Sequence, residues 1–215
     1  MNDSPHTGRI VIDLFTTLDG VAQAPGGPEE DPSGGFRFGG WQAPLPDDMV
    51  GRTVLDGMSR MDALLLGRRT YDIFAEYWPK HGASEIGRTL NGLPKYVVSR
   101  DGGLRTGWQG TTRLGDELTS ELRAVRERHR ETHVIGSIDL VQTLVAERLF
   151  DELRLWVYPI VLGEGRKVFP DGAAPSRLRL IDAPVSGSAG AVLLRYAPEP
   201  GVPETGEMSD EAPDA

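Results

Sequence analysis

Three short stretches of this chain combine glycine, small hydroxyl residues and arginine in a way that suits phosphate. The first is Gly67-Arg68-Arg69-Thr70, directly after the apolar run Ala63–Leu66. Glycine lets the backbone turn closely, and a helix starting there presents free N–H groups and a positive dipole end; two guanidiniums add directional donors. The second is Ser99-Arg100, a hydroxyl and a guanidinium at the end of Lys95–Ser99. The third is Gly136-Ser137-Ile138-Asp139-Leu140, where a Gly-Ser turn opening a helix can accept a pyrophosphate. Each has an ordinary reading alone, as a solvated helix start or a plain turn. Together at one sheet edge, with two supplying cations, they point to a ligand bearing several phosphates.

Asp19, in Thr17-Leu18-Asp19-Gly20, follows the first strand at the expected mouth of a pocket. It reads equally as a polar substrate contact, able to serve in catalysis, and as a turn-forming Asp-Gly. Phe36, Phe38 and Trp41 lie in a Gly/Pro-rich stretch and read either as an apolar lid over a flat ring or as loop packing. The chain has no GxxxxGK[ST], GxSxG or GxGxxG pattern, so a P-loop, a hydrolase elbow and a standard Rossmann fingerprint are all missing. His6, His81, His129 and His133 show no paired metal spacing, and no metal site is expected. Cysteine is absent, which excludes disulfides, zinc-thiolate sites and a cysteine nucleophile.

The elements that must position these residues alternate along the chain. Arg9–Phe15 reads as a first strand, followed by Thr16–Pro46, a loop long enough to be either functional or disordered. Asp47 and Asp48 mark a helix start, with Val50, Val54, Leu55 and Met58 at helical spacing. Strands are predicted at Ala63–Leu66, Lys95–Ser99, His133–Ile135 and Leu153–Ile160, with helices at Arg68–Trp78, Leu114–Arg130 and Asp139–Arg148. Leu178–Ala183 and Ala191–Tyr196 read as a closing antiparallel pair. This is an α/β pattern with a mostly parallel sheet and an antiparallel C-terminal edge, placing ligands at the carboxyl ends of the strands.

With 215 residues, 39% of them apolar, the chain fits one domain with a short appendage. The formal net charge is −9, but residues 199–215 carry six acidic groups and no basic one, so the body is close to neutral. That balance argues against a nucleic-acid partner. The segment 198–215 is expected to be a disordered acidic tail. No apolar run approaches the roughly 18 residues a membrane span needs, and the start MNDSPHTGR has no hydrophobic signal segment. A cytoplasmic location follows as the default.

In order, these pieces resemble the dihydrofolate-reductase superfamily. They are most similar to the branch containing the reductase domain of the bifunctional riboflavin-biosynthesis deaminase-reductase, and to its stand-alone bacterial members. The matching segments are Thr17-Leu18-Asp19-Gly20, Leu66-Gly67-Arg68-Arg69-Thr70, Val97-Val98-Ser99-Arg100 and Val134-Ile135-Gly136-Ser137. Leu149-Phe150-Asp151-Glu152-Leu153 and Pro159-Ile160-Val161-Leu162-Gly163-Glu164-Gly165 continue the match, which spans residues 8–197.

The resemblance implies a three-layer sandwich around a mostly parallel sheet of about eight strands, with NADPH as hydride donor. By carry-over, Arg68, Arg69 and Thr70, after Gly67, would hold the adenosine 2′-phosphate and pyrophosphate side. Ser99 and Arg100 would flank the adenine-ribose phosphate. Gly136, Ser137, Ile138 and Leu140 would lie under the pyrophosphate and nicotinamide ribose, and Thr17, Asp19 and Gly20 would begin a loop closing over the nicotinamide. Folate reductases hold their ring with a first-helix carboxylate. Here Asp48 and Asp56 are the candidates, with capping and solvent exposure as competing explanations, while Asp19 and Trp41 are the other candidate substrate contacts. The implied activity is hydride transfer to a small heterocyclic or carbonyl compound. Two alternatives stand beside it: reduction of 5-amino-6-(5-phosphoribosylamino)uracil in riboflavin biosynthesis, and a non-catalytic nucleotide-binding role. A homodimer is also implied, with Leu153–Ile160 and the closing strands as pairing surface.

Overall fold

The computed structural model describes residues 7–115 and 117–207. Nine strands form one sheet: β1 (Arg9–Thr17), β2 (Ala63–Gly67), β3 (Lys95–Val98), β4 (Thr111–Leu114), β5 (Glu131–Val134), β6 (Glu152–Tyr158), β7 (Arg177–Leu180), β8 (Val185–Ser186) and β9 (Val192–Glu199). Their spatial order is β4-β3-β2-β5-β1-β6-β9-β7, with β8 also on β9. From β4 to β6 every pairing is parallel; β9 runs antiparallel to β6, β7 and β8. This is the expected α/β sheet with its antiparallel C-terminal edge.

Among the described residues, five α-helices accompany it: α1 (Asp48–Arg60), α2 (Arg68–Tyr77), α3 (Glu85–Gly92), α4 (Leu118–Arg128) and α5 (Ile138–Ala146). All five residues of β2 are buried, as the continuous apolar run of a strand covered on both faces requires. Alternation then divides them between two cores. Leu64 and Leu66 join Tyr71 of α2 and Leu90 of α3, whereas Leu65 joins Leu122 of α4 and Val141 and Leu144 of α5. Burying each such leucine is worth about 1.5–3 kcal/mol. A third core of Val50, Trp41, Trp156 and Tyr158 seats the long loop beside α1. Among the described residues, no helix is long and apolar enough to cross a membrane.

Several expectations change. Leu114 ends β4 instead of opening a helix, and α4 begins at Leu118. Four residues at a sheet edge, alternately half-buried and exposed before Leu114, leave too short a pattern to separate from the helix behind it. Helix α3 was not foreseen because Gly87 and Gly92 weaken its propensity; Ser84 caps it by accepting from Gly87 N at 3.0 Å. The Thr16–Pro46 stretch is folded against the chain around residues 160–168: Val21 pairs with Lys167, and Ala22 N donates to Arg166 O. The apolar strand β6 is not a pairing surface, since β1 and β9 take both of its edges. At the C-terminus β9 runs on through Pro198 to Glu199; tail residues 208–215 and His6 lie outside the described residues.

Candidate functional site

The ends of β2 and β5 meet at the carboxyl edge. Gly67 N donates to Gly136 O at 3.1 Å. A Cβ on Gly67 would overlap the Ser137 hydroxyl, and one on Gly136, whose φ is +139°, would stand 2.6 Å from Thr70 Oγ1. The first and third phosphate-suited stretches are therefore one piece of structure, closed enough that only glycine fits. The Gly136–Ser137 peptide is cis.

Two helices start from this junction, and neither has a side-chain cap: α2 after Gly67 and α5 after Ser137. By contrast, Asp47 caps α1, accepting from Met49 N at 2.9 Å, and Ser84 caps α3. The first-turn N–H groups of α2 and α5 thus face the junction with their dipole ends and no side-chain acceptor, which is the chemistry of an anion site. Ile138 and Leu140 are buried in the core beneath α5, so what they offer a ligand is backbone.

Arginines flank the junction on both sides. Arg68 donates to Asp72 (Nε–Oδ2 2.8 Å) and to Asp101 (Nη1–Oδ2 2.9 Å), which ties the first stretch to the second. Buried Ser99 accepts from Asp101 N at 3.1 Å, and Arg100 is exposed. Arg69 reaches the long loop instead, donating to Ser33 Oγ at 2.8 Å and lying 3.6 Å from Asp31. Asp31 also pairs with Arg166.

The loop after β1 is held by carboxylate and amide contacts. Thr17 Oγ1 donates to Asp19 (2.6 Å) and accepts from Val21 N (2.9 Å), while Gly20 turns with φ +82°. Asp19 also accepts from Leu162 N (3.2 Å) and Gly163 N (2.8 Å). Partial burial works to raise its pKa, but the donors Thr17, Gly163 and Leu162 outweigh it and hold the carboxyl below the ordinary carboxylate value. Asp19 is therefore an ionised tether near neutral pH. Gln23, 3% exposed, donates to Asp31 O and Ser33 O and accepts from Arg166 N, each at 3.0 Å. A cavity of about 500 Å³ lies among Gln23, Ser33, Phe36, Arg69, Glu164 and Arg166, adjoining the junction through Arg69.

Of the remaining candidates, Phe36 lines that cavity, and the others make no hydrogen bond or ion pair to the junction among the described residues. Trp41 is buried, donates to Gln23 O at 2.9 Å and packs edge-on to Tyr158, so its ring fixes the loop to the core. Phe36 is buried and Phe38 partly exposed. Asp48 is exposed in the first turn of α1. Asp56 is exposed too, paired with Arg60 one turn on. Neither is gathered with the other site residues. Gln23, Asp31 and Asp101 escaped the sequence reading. Only Gln23 carried a local signal, as the one polar residue within Val21-Ala22-Gln23-Ala24.

The family model described as RibD C-terminal domain matches residues 9–191. A curated relative, the uncharacterized protein YyaP of Bacillus subtilis (strain 168), is 27% identical over 201 residues, covering 91% of this chain and 98% of its own. Among solved structures, a putative riboflavin biosynthesis protein from Shewanella sp. PV-4 superposes with a TM-score of 0.66 at 20% identity, covering 89% of this chain and 99% of that one. A dihydrofolate reductase from Enterococcus faecalis, complexed with NADP(H), does so with 0.52 at 15% identity, covering 90% and 98%. The fold is thus dihydrofolate-reductase-like.

Proposed function

Because the chain belongs to the RibD C-terminal domain family, we propose that it is a cytoplasmic, NADPH-dependent reductase acting on a small heterocyclic or carbonyl compound. One observation carries this reading: two uncapped helix N-termini abut at the carboxyl edge of a parallel sheet, so close that Gly67 and Gly136 admit no side chain. Such a cradle fits a pyrophosphate, and the arginines beside it fit a third phosphate.

In this reading the first-turn N–H groups of α2 and α5, with Thr70 and Ser137, hold the pyrophosphate. Arg68, Ser99 and Arg100 face the adenosine 2′-phosphate, for which a planar guanidinium is the better partner. Arg69 exchanges its Ser33 and Asp31 contacts for phosphate oxygen, which loosens its hold on residues 31–33. Thr17 and Gly20 shape the turn beside the transfer site, and Asp19 keeps that turn against residues 162–163. Bound NADPH would supply the hydride; the protein's part is to hold it and to exclude water. Any homodimer contact is assigned to the β7–β8 edge, where Leu180 and Val185 are exposed. Sizing a Leu180→Asp/Val185→Asp variant beside wild type tests it, an unchanged dimer removing the assignment.

The test is calorimetric titration of the purified chain with NADPH and NADH, repeated on Arg68→Ala/Arg69→Ala. Micromolar NADPH binding that weakens by tenfold or more in the double variant supports the reading; no binding of either dinucleotide, or no change in the variant, rejects it. NADPH oxidation with a panel of heterocycles and carbonyl compounds, including 5-amino-6-(5-phosphoribosylamino)uracil, then separates a reductase from a nucleotide-binding protein without turnover.

A further inference from the structure

Asp101 is a negative charge set among the cations of the edge. Its backbone N–H donates to Ser99 Oγ (3.1 Å), its Oδ1 accepts from Gly103 N (2.9 Å), and its carbonyl accepts from Arg113 Nε (3.1 Å). Its Oδ2 takes a hydrogen from Arg68 Nη1 at 2.9 Å, while Asp72 occupies the Nε of the same guanidinium. Gly103 and Arg68 therefore fix this carboxylate, and Ser99 and Arg113 its backbone, at the seam between Gly67-Arg68 and Ser99-Arg100. The Arg68 contact also holds it below the ordinary carboxylate value, so it is ionised at neutral pH. A phosphate arriving at Arg68 finds Nε and one Nη1 hydrogen already engaged, so it must share the remaining donors with Asp101 or displace it, and it then sits beside a charge of its own sign. A ribose hydroxyl arriving there has the opposite fate, because it donates a hydrogen bond to the ionised carboxylate.

We infer that Asp101 is a specificity-determining residue, which narrows the preference for a 2′-phosphorylated dinucleotide over its unphosphorylated counterpart by competing for Arg68 and offering an acceptor to a free 2′-hydroxyl. The inference rests on the cofactor reading above and adds to it a residue that works against the phosphate. The net preference is a difference between two affinities, so a repulsive group can set it as surely as an attractive one. Because the carboxylate is exposed, its effect is screened by salt.

The experiment is titration of the full chain with NADPH, NADH, 2′,5′-ADP and 5′-ADP, for wild type, Asp101→Asn and Asp101→Glu. Asparagine keeps one acceptor oxygen, for Gly103 N or for Arg68 but not both, and removes the charge; glutamate restores the charge. The expected result is about tenfold tighter binding of NADPH and 2′,5′-ADP to Asp101→Asn, with NADH and 5′-ADP unchanged or weaker. The gain should shrink in 0.5 M salt and be absent in Asp101→Glu. An NADPH-to-NADH affinity ratio that Asp101→Asn leaves unchanged or lowers overturns the role of Asp101 while sparing the cofactor site. Failure of wild type to bind either dinucleotide overturns the cofactor site and this inference with it.

Discussion

Gly67 N and Gly136 O are joined by a 3.1 Å hydrogen bond, although 69 positions separate the two residues along the chain. This bond brings the starts of α2 and α5 together, and it leaves no room for a side chain on either glycine. A Gly67→Ala variant must push Ser137 aside. The expected outcome is a loss of about 1–3 kcal/mol in stability and at least tenfold weaker NADPH binding, read by denaturant titration and calorimetry. Wild-type affinity in a fully folded variant would refute the cradle.

Gln23 is the hinge pin of the long loop, with its amide satisfied by Asp31 O, Ser33 O and Arg166 N. Gln23→Ala leaves the buried Asp31 O and the part-buried Ser33 O and Arg166 N without this partner, at a cost of about 1–3 kcal/mol. Limited proteolysis should then cut between residues 25 and 40 faster than in wild type, whereas an unchanged cleavage pattern would show that the loop is held by other contacts.

Asp19 stabilises the turn only as a carboxylate. Its folded pKa lies below the ordinary value, so its contribution is present above the unfolded value of about 4 and is lost as pH falls through the folded one. Asp19→Asn should be less stable than wild type at pH 7, and the gap should close toward pH 3. A gap that stays constant with pH would mean that charge plays no part in the tether.

Lys95 gives a slope of the same sign, at alkaline pH and from burial of a cation. Its ammonium is buried, donating to Asn91 O (2.7 Å) and Gln109 O (3.1 Å) and lying 4.4 Å from the centre of the Trp108 ring. Burial lowers its pKa to about 8, against about 10.4 unfolded. Between those values the unfolded chain binds the proton more tightly, so stability rises with pH over that window. Denaturant midpoints at pH 7.5 and 9.5 should show the rise in wild type and not in Lys95→Met; equal pH dependence in both would exclude Lys95 as its source.

The chain's own order determined the layout of the molecule. Ala63–Leu66 is a continuous apolar run, Leu153–Ile160 is a mostly apolar one interrupted by Arg154, Arg68–Trp78 carries a helical stripe, and a Gly-containing turn links strand to helix at residues 67 and 136; all are local patterns that survive without knowledge of the fold. The sheet's parallel body, its antiparallel edge and the strand-to-helix junctions could therefore be read directly. Elements of four to eight residues, such as β4 and α3, are too short for periodicity to separate from their surroundings. What only the tertiary structure decided is how distant segments answer one another's charges and hydrogen bonds. Asp19 meets residues 162 and 163, Gln23 meets Arg166, and Arg68 meets Asp101. Such pairs form because folding encloses polar groups that must then find partners, and which partner comes within reach depends on strand order and loop path, not on neighbours in sequence.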